Sequence, residues 1–334
     1  METLKSSDLK SILHSKRANM FYLEYCRVMQ KDGRVLYLTE SMANKSQENQ
    51  YFNIPIANTT VILLGNGTSI TQAAMRMLAQ AGVMVGFSGG GGTPLYMAND
   101  VEQPIEWLTP QSEYRPTEYL QGWMGFWFDD EKRLTAAKMI QNARIEYLTR
   151  IWQKDKDLKQ NGFELSGLES ALATFNQRTE KAIKQSELLL TEAQLTKALY
   201  KFAVNATGTA SFKRQHDSTD LANDFLNHGN YLAYGLAAST LWVLGIPHGF
   251  AVMHGKTRRG ALVFDVADLI KDTLVLPWAF ICAKENATEQ EFRQQILQAF
   301  TDHKSLDFMF DKVKEIALAE FVNEDNINNE STSL

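Results

Sequence analysis

Short apolar runs dominate the first third of the chain, and residues that favour turns lie beside each of them. The runs occupy 35–39, 51–54, 60–64 and 83–87, and they are rich in β-branched and aromatic side chains. Gly, Asn, Asp or Pro bounds each run. Segments of this length and composition predict strands in a β-rich region.

One segment between the last two runs has helical spacing instead. Its apolar positions are Ile70, Ala74, Met77, Leu78 and Ala81. Thr68 or Ser69 can cap the N-terminus of such a helix, and Gly82 can end it. The pattern predicts one short helix over 69–81 within the β-rich region.

Beyond about residue 110 the pattern becomes helical. Five of the seven prolines precede residue 117 and none recurs until Pro247, which leaves a long interval free of this helix breaker. Acidic residues at 129–131 mark the start of one helix. Further helices are predicted at about 165–182, 185–204, 218–227 and 231–244, and the last is apolar enough to be buried on all sides.

These elements predict an α+β protein with two domains. A β-rich domain with one short helix covers 1–108, and a larger all-α domain covers 109–322. The last segment, 323–334, is rich in Asn, Glu, Asp and Ser, a composition typical of a disordered tail.

Composition excludes several classes of protein. The 334 residues are 44% hydrophobic and 22% charged, as in ordinary globular proteins rather than fibrous or disordered ones. No leader-like segment or apolar run of membrane-spanning length occurs, so we expect a cytoplasmic protein without a membrane partner. Cys26 and Cys282 are too far apart in sequence to indicate a zinc site. A net charge of −5 argues against coating nucleic acid through bulk positive charge.

Two glycine motifs are similar to nucleotide-binding sequences, and both are incomplete. Gly65-Asn66-Gly67 follows a strand, but Ile70 stands where a dinucleotide fingerprint needs its third glycine. The run 88–92 lacks the Lys-Ser/Thr pair of a P-loop. We interpret the first as a tight strand-to-helix turn and the second as a flexible hairpin or a domain-linking loop.

His254 precedes a pair of acidic residues, Asp265 and Asp268. A spacing of three places both carboxylates on one face of a helical turn, where they and His254 can bind a hard divalent cation. The same pattern also fits a capping box, with Asp265 as the N-cap and Asp268 reaching back. The neighbouring histidines are interpreted as structural: His216, His228 and His248.

Basic residues follow His254 directly, and they favour phosphate chemistry. Lys256, Arg258 and Arg259 lie within five residues of it in an otherwise acidic chain. A histidine, carboxylates and cations together indicate metal-assisted phosphoryl transfer more than other reactions. Such a site needs a third carboxylate, for which the helical region offers three candidates: Glu180, Glu187 and Glu192.

Taken in order, these segments resemble the family of CRISPR-associated integrases that acquire new spacers. The resemblance rests on the strand, turn and helix at 62–71, the Glu192 helix, the segment 249–255 and Asp265-x-x-Asp268. The segment from His254 to Asp265 is similar to the I-F (Csy, Ypest) form of the family.

The resemblance implies a fold and a site. Family members have an N-terminal β domain that forms homodimers and an α-helical catalytic domain. The matching metal ligands here are Glu192, His254 and Asp268, with Asp265 as a further acidic residue needed for activity. The ion expected is Mg²⁺ or Mn²⁺.

The resemblance also implies a reaction and partners. A 3′-hydroxyl of a short DNA duplex attacks a phosphodiester at the leader-repeat boundary of a CRISPR array, and the same site cuts DNA. The expected protein partner is a second adaptation protein fused to the interference helicase-nuclease.

Candidate DNA contacts are Lys256, Arg258 and Arg259, together with Lys213 and Arg214. A helix carrying several basic residues is a second possible track for DNA: Lys132, Arg133, Lys138, Arg144 and Arg150. The alternative function is a non-catalytic DNA-binding scaffold subunit, in which Asp265-x-x-Asp268 only caps a helix.

Overall fold

The computed structural model describes residues 19–39, 50–88, 106–108, 117–209, 212–215, 220–255 and 260–321, and every structural statement below refers to these. A strand-rich N-terminal part is followed by a mostly helical part. This confirms the predicted α+β class. The boundary between 108 and 109 stays a prediction, and the predicted tail at 323–334 lies outside the described residues.

The strand-rich part contains two four-stranded sheets. The strands are β1 (Asn19–Leu23), β2 (Cys26–Lys31), β3 (Arg34–Thr39), β4 (Gln50–Ile54), β5 (Thr59–Leu64), β6 (Ser69–Ile70), β7 (Met84–Phe87) and β8 (Glu106–Leu108). One sheet has the order β1-β5-β7-β8, with β5 parallel to both its neighbours. The other has the order β4-β3-β2-β6 and is built around an antiparallel hairpin of β2 and β3.

Strand β5 contributes side chains to two hydrophobic cores, and both of its faces are buried. Side chains alternate between the two faces of a strand. Ile62 and Leu64 pack in the small core of the strand-rich part. Val61 and Leu63 pack in the large core that also contains the helices. The unbroken apolar run at 60–64 therefore reflects burial on two sides rather than one.

The helix predicted at 69–81 is present but begins later. It is α1, Gln72–Gln80, and its N-cap is Thr71, whose side chain accepts a hydrogen bond from Ala74 N. Ser69 and Ile70 instead pair with Arg27 and Val28 as strand β6. The predicted caps Thr68 and Ser69 are therefore wrong, because pairing with β2 holds the preceding residues extended.

The rest of the described chain is helical. The helices are α2 (Glu118–Trp127), α3 (Asp130–Trp152), α4 (Lys156–Gln160), α5 (Glu169–Lys181), α6 (Gln185–Thr207), α7 (Leu221–Leu244), α8 (Ala261–Ile270), α9 (Leu276–Lys284), α10 (Glu289–Asp302) and α11 (Ser305–Ala317). A π-helical turn, Lys271–Val275, joins α8 to α9. Among the described residues, no helix is long and apolar enough to cross a membrane.

The two helices predicted at 218–227 and 231–244 form one continuous helix, α7. Gly229 lies in its interior, where a Cβ would overlap Val275 Cγ1 and crowd Phe292. The glycine thus permits close packing against the π-helical turn and α10 instead of ending the helix. The predicted break before 231 is wrong for this reason.

A second close approach joins the first and last helices of the helical part. Gly122 of α2 lies against the carbonyl oxygen of Ala317 at the end of α11, so that a Cβ at this position would overlap the oxygen. Trp123 and Phe126 on the same helix are buried in the large core. The helical part is therefore closed by contact between its two ends.

Candidate metal centre

Glu192 lies on α6 beside a stripe of apolar positions that face the core. Leu188, Leu195 and Leu199 are buried at helical spacing on this helix. The Glu192 side chain borders the stripe and is only 15% exposed. Of the competing carboxylates, Glu187 accepts a hydrogen bond from Ile183 N at the start of the helix, and Glu180 is exposed.

Asp265 and Asp268 occupy the interior of α8 rather than its N-terminus. The helix begins at Ala261, so Asp265 is its fifth residue. Both carboxylates are almost completely buried, with 0% and 1% of the side chain exposed. The capping-box interpretation is therefore wrong, because Asp265 already has helical neighbours on its N-terminal side.

Asp265 fixes the loop that carries His254. Its carboxylate accepts hydrogen bonds from the backbone N–H groups of Val252, Met253 and His254 at 2.7, 3.1 and 3.0 Å. The same carboxylate lies 2.6 Å from His254 Nδ1. A proton on Nδ1, donated to Asp265, leaves Nε2 with a lone pair for a cation.

The three side chains converge on one point. One ligand atom from each of Glu192, His254 and Asp268 lies within 4.8 Å of the others. His254 Nε2 is 3.8 Å from Glu192 Oε2, and His254 Nδ1 is 3.9 Å from Asp268 Oδ2. Asp268 Oδ1 pairs with Lys271, whereas Oδ2 accepts no hydrogen bond from the described residues. A buried carboxylate oxygen without a donor fits a bound cation.

The charges of the cluster also fit one divalent cation. Its carboxylates are Glu192, Asp265, Asp268 and Asp272, and its permanent cations are Arg144 and Lys271. With all carboxylates ionised the cluster has two more negative than positive charges. A single divalent cation would balance them, and a ligand set of one nitrogen and two carboxylates suits Mg²⁺ or, better, Mn²⁺.

The pKa values of the carboxylates differ because their neighbours differ. Burial and the charge of Asp268 raise the pKa of Glu192 to about 7, although Arg144 and His254 oppose the shift. Burial alone would raise the pKa of Asp268, but Lys271, Arg144 and His254 outweigh it and lower that pKa. Without metal, Glu192 is therefore about half protonated near neutral pH, whereas Asp268 is ionised.

His254 responds to the same surroundings in the opposite sense. Burial alone would lower its pKa, but the hydrogen bond to Asp265 and the charges of Asp268, Asp265 and Glu192 raise it. In the metal-free site the imidazole therefore keeps its proton to a higher pH than an ordinary histidine does.

The predicted basic track on α3 is partly wrong. Arg144 is buried with 2% of its side chain exposed, and it binds Glu192 and Asp272 within the cluster. Arg133 is 4% exposed and paired with Asp130. Neither guanidinium is free for DNA, because Arg144 is held among buried carboxylates and Arg133 donates to Trp127 O while it pairs with the exposed Asp130.

A groove of about 730 Å³ runs from Glu192 along α6. Its lining residues are Leu189, Glu192, Ala193, Thr196, Lys197, Tyr200, Lys201, Val204, Phe212, Lys213 and Arg214. Lys197, Lys201 and Lys213 are exposed. Lys197 and Lys201 are not among the predicted DNA contacts, although their spacing of four places both on one face of the Glu192 helix.

The other predicted DNA contacts have different outcomes. Arg214 lines the groove, but its guanidinium donates to Asn223 Oδ1 at 2.9 Å and Asn227 Oδ1 at 2.6 Å, so it also anchors the start of α7. Lys256, Arg258 and Arg259 lie outside the described residues, next to the end of the segment that carries His254.

The family model of CRISPR-associated protein Cas1 matches residues 26–307. The chain belongs to the Cas1 family. A Cas1 relative from Pseudomonas aeruginosa (strain UCBPP-PA14), named CRISPR-associated endonuclease Cas1, is 56% identical over 323 residues, which cover 95% of this chain and 98% of the relative. This name agrees with the prediction of an enzyme.

Solved structures share the fold at low sequence identity. The crystal structure of a TtCas1–DNA complex matches with a TM-score of 0.65 at 20% identity, covering 92% of this chain and 94% of that one. A casposase bound to its integration product matches with a TM-score of 0.65 at 12% identity, covering 94% and 99%. The Cas1 fold therefore extends over almost the whole chain.

Proposed function

We propose that this Cas1-family protein is a metal-dependent DNA endonuclease and integrase that inserts spacer DNA into a CRISPR array, in the I-F form of the family. The observation that carries the proposal is the convergence of Glu192, His254 and Asp268 within 4.8 Å at one end of a cationic groove. The name of the Pseudomonas relative, the DNA bound by one structural neighbour and the integration product bound by the other support the same class of reaction.

The proposed ligands of the ion are Glu192, His254 and Asp268, and Asp265 holds the imidazole in place. A Mg²⁺ or Mn²⁺ ion bound there supplies Lewis acidity toward a phosphodiester. In the reaction, a 3′-oxygen of the incoming duplex forms a bond to phosphorus at the leader-repeat boundary. The bond from phosphorus to the original 3′-oxygen breaks, the attacking 3′-hydroxyl gives up its proton to solvent, and the leaving 3′-oxygen takes one up.

The residues around the site bind the substrate backbone. Lys197, Lys201 and Lys213 place three exposed ammonium groups along the groove that begins at Glu192. Phosphate contacts of this kind fix the position of DNA without reading its sequence. Lys256, Arg258 and Arg259 are proposed to add contacts on the His254 side, and Arg214 supports the groove wall.

The net charge of −5 is compatible with this role, because a homodimer can concentrate its cationic grooves on one face. The proposed assembly contains a homodimer, double-stranded DNA from the spacer precursor and the repeat, and a second adaptation protein fused to the interference helicase-nuclease.

Strand transfer tests the proposal directly. A labelled short duplex is incubated with a supercoiled plasmid carrying a leader and repeat, the partner protein, and Mg²⁺, Mn²⁺ or EDTA. We expect metal-dependent joining by the natural protein and by Asp311→Ala, whose side chain is 72% exposed, but none by Asp268→Ala. Full joining by Asp268→Ala, with unchanged folding and DNA binding, would support the scaffold function instead.

A further inference from the structure

Arg144 occupies an unusual position for a cation, since it is buried next to a site that would bind another cation. Its guanidinium donates from Nε to Asp272 Oδ2 at 2.8 Å and from Nη1 to Glu192 Oε1 at 3.2 Å. Nη1 also lies 3.2 Å from Gln141 Oε1. Nη2 forms a further contact with Asp272. These contacts reach Glu192 on α6, Asp272 in the π-helical turn and Gln141 one turn earlier on α3 itself.

The contacts divide the two oxygens of Glu192 between different partners. Arg144 binds Oε1, whereas Oε2 faces His254 Nε2. A glutamate side chain on a helix has several rotatable bonds, and holding one oxygen removes most of the freedom of the other. The oxygen aimed at the ligand cluster is therefore the one that Arg144 leaves free.

The guanidinium is itself held in a fixed orientation. Asp272 lies in the π-helical turn, and Lys271, its direct neighbour, pairs with Asp268. Two consecutive residues of this turn thus contact the cluster, and π-helical turns recur at functional sites. On the opposite side, Gln141 Nε2 donates to Met253 Sδ at 3.1 Å, one residue before His254.

We propose that Arg144 is a positioning residue of the metal centre: held by Asp272 and Gln141, it orients Glu192 so that Oε2 binds the ion. This inference rests on the proposed metal site. It makes a prediction opposite to simple charge repulsion, under which loss of a nearby positive charge would tighten cation binding. Loss of the orienting guanidinium weakens metal binding instead.

The test measures Mn²⁺ affinity by electron paramagnetic resonance at pH 8.5 on the full chain, with thermal unfolding in EDTA as an independent readout. Groups that hold metal ligands typically change affinity by about 10- to 100-fold when they are replaced. We expect a loss in this range for Arg144→Gln and a smaller loss for Arg144→Lys, which keeps the charge but not the forked geometry. Arg76→Gln, which replaces an exposed arginine of α1, is the control and should bind Mn²⁺ normally.

Two double variants separate positioning from structural support. Arg144→Gln combined with Asp272→Asn removes both buried charges and should recover part of the lost thermal stability, while Mn²⁺ affinity stays low. Arg144→Gln added to Glu192→Gln should cause no further loss of affinity, because the residue acts through Glu192.

The outcomes distinguish this inference from the proposed function. Normal Mn²⁺ affinity in Glu192→Gln would refute the metal site itself. Weakened affinity in Glu192→Gln together with normal or tighter binding in Arg144→Gln would overturn the positioning role alone. Full recovery of Mn²⁺ affinity in the Arg144→Gln, Asp272→Asn variant would also overturn it, since Arg144 would then only balance the charge of Asp272.

Discussion

Replacing Asp265 by asparagine tests whether this carboxylate organises the His254 loop. One oxygen accepts the N–H groups of Val252 and Met253, and the other accepts His254 N and faces His254 Nδ1. The asparagine side chain has one oxygen and one NH₂ group. In either orientation of the amide, the NH₂ group therefore replaces an oxygen that accepts two hydrogen bonds, and both of these are lost. Hydrogen bonds to charged groups contribute about 1.5 to 3 kcal/mol each, so the loss of two predicts a destabilisation of about 3 to 6 kcal/mol.

Urea unfolding followed by tryptophan fluorescence, in EDTA to exclude metal effects, measures this loss. A destabilisation of this size is a large share of the stability of a typical domain, about 5 to 15 kcal/mol. The matched control is Asp311→Asn, an exposed aspartate whose replacement should change stability by no more than about 0.5 kcal/mol. A cost below about 1 kcal/mol for Asp265→Asn would refute the role assigned to the carboxylate.

Two further predictions concern protonation and packing. Because burial raises the pKa of Glu192 to about 7, and a protonated carboxyl binds cations poorly, Mn²⁺ affinity should increase as pH rises through 7; equal affinities at pH 6 and 8.5 would contradict this. Gly122→Ala should destabilise the fold by roughly 1 to 3 kcal/mol in urea unfolding, since the methyl group overlaps Ala317 O. Gly125→Ala, on the same helix with nothing within 4 Å, should be neutral or stabilising, and equal losses in both variants would count against the packing explanation.

The sequence pattern of a segment predicts its secondary structure correctly where residues within that segment determine it. The runs at 35–39, 51–54, 60–64 and 83–87 correspond to strands β3, β4, β5 and β7. Two predictions placed a helix end at the wrong residue, because contacts with residues distant in the sequence determine where these helices begin and end. Ser69 is held extended by β2, and Gly229 is accommodated by Val275.

The sequence predicts which kinds of residue form the candidate site, but not how those residues contact one another. His254 and Asp268 were recognisable from a short segment, and family resemblance was needed to choose Glu192 among the helical glutamates. Arg144 illustrates what spacing cannot show. In the sequence, Arg144 is one of several basic residues on a helix. Its contacts with Glu192 and Asp272 depend on the packing of α3 against α6 and against the π-helical turn.

The contact between Gly122 and Ala317 has a consequence for synthesis on the ribosome. The two residues are separated by about 200 positions, and at about 5 to 20 residues per second α11 emerges roughly 10 to 40 s after α2. During that interval Trp123 and Phe126 lack part of their final cover, which exposes apolar surface to chaperones and proteases. The nascent chain therefore contains all three proposed metal ligands before the last helix arrives to close the domain around them.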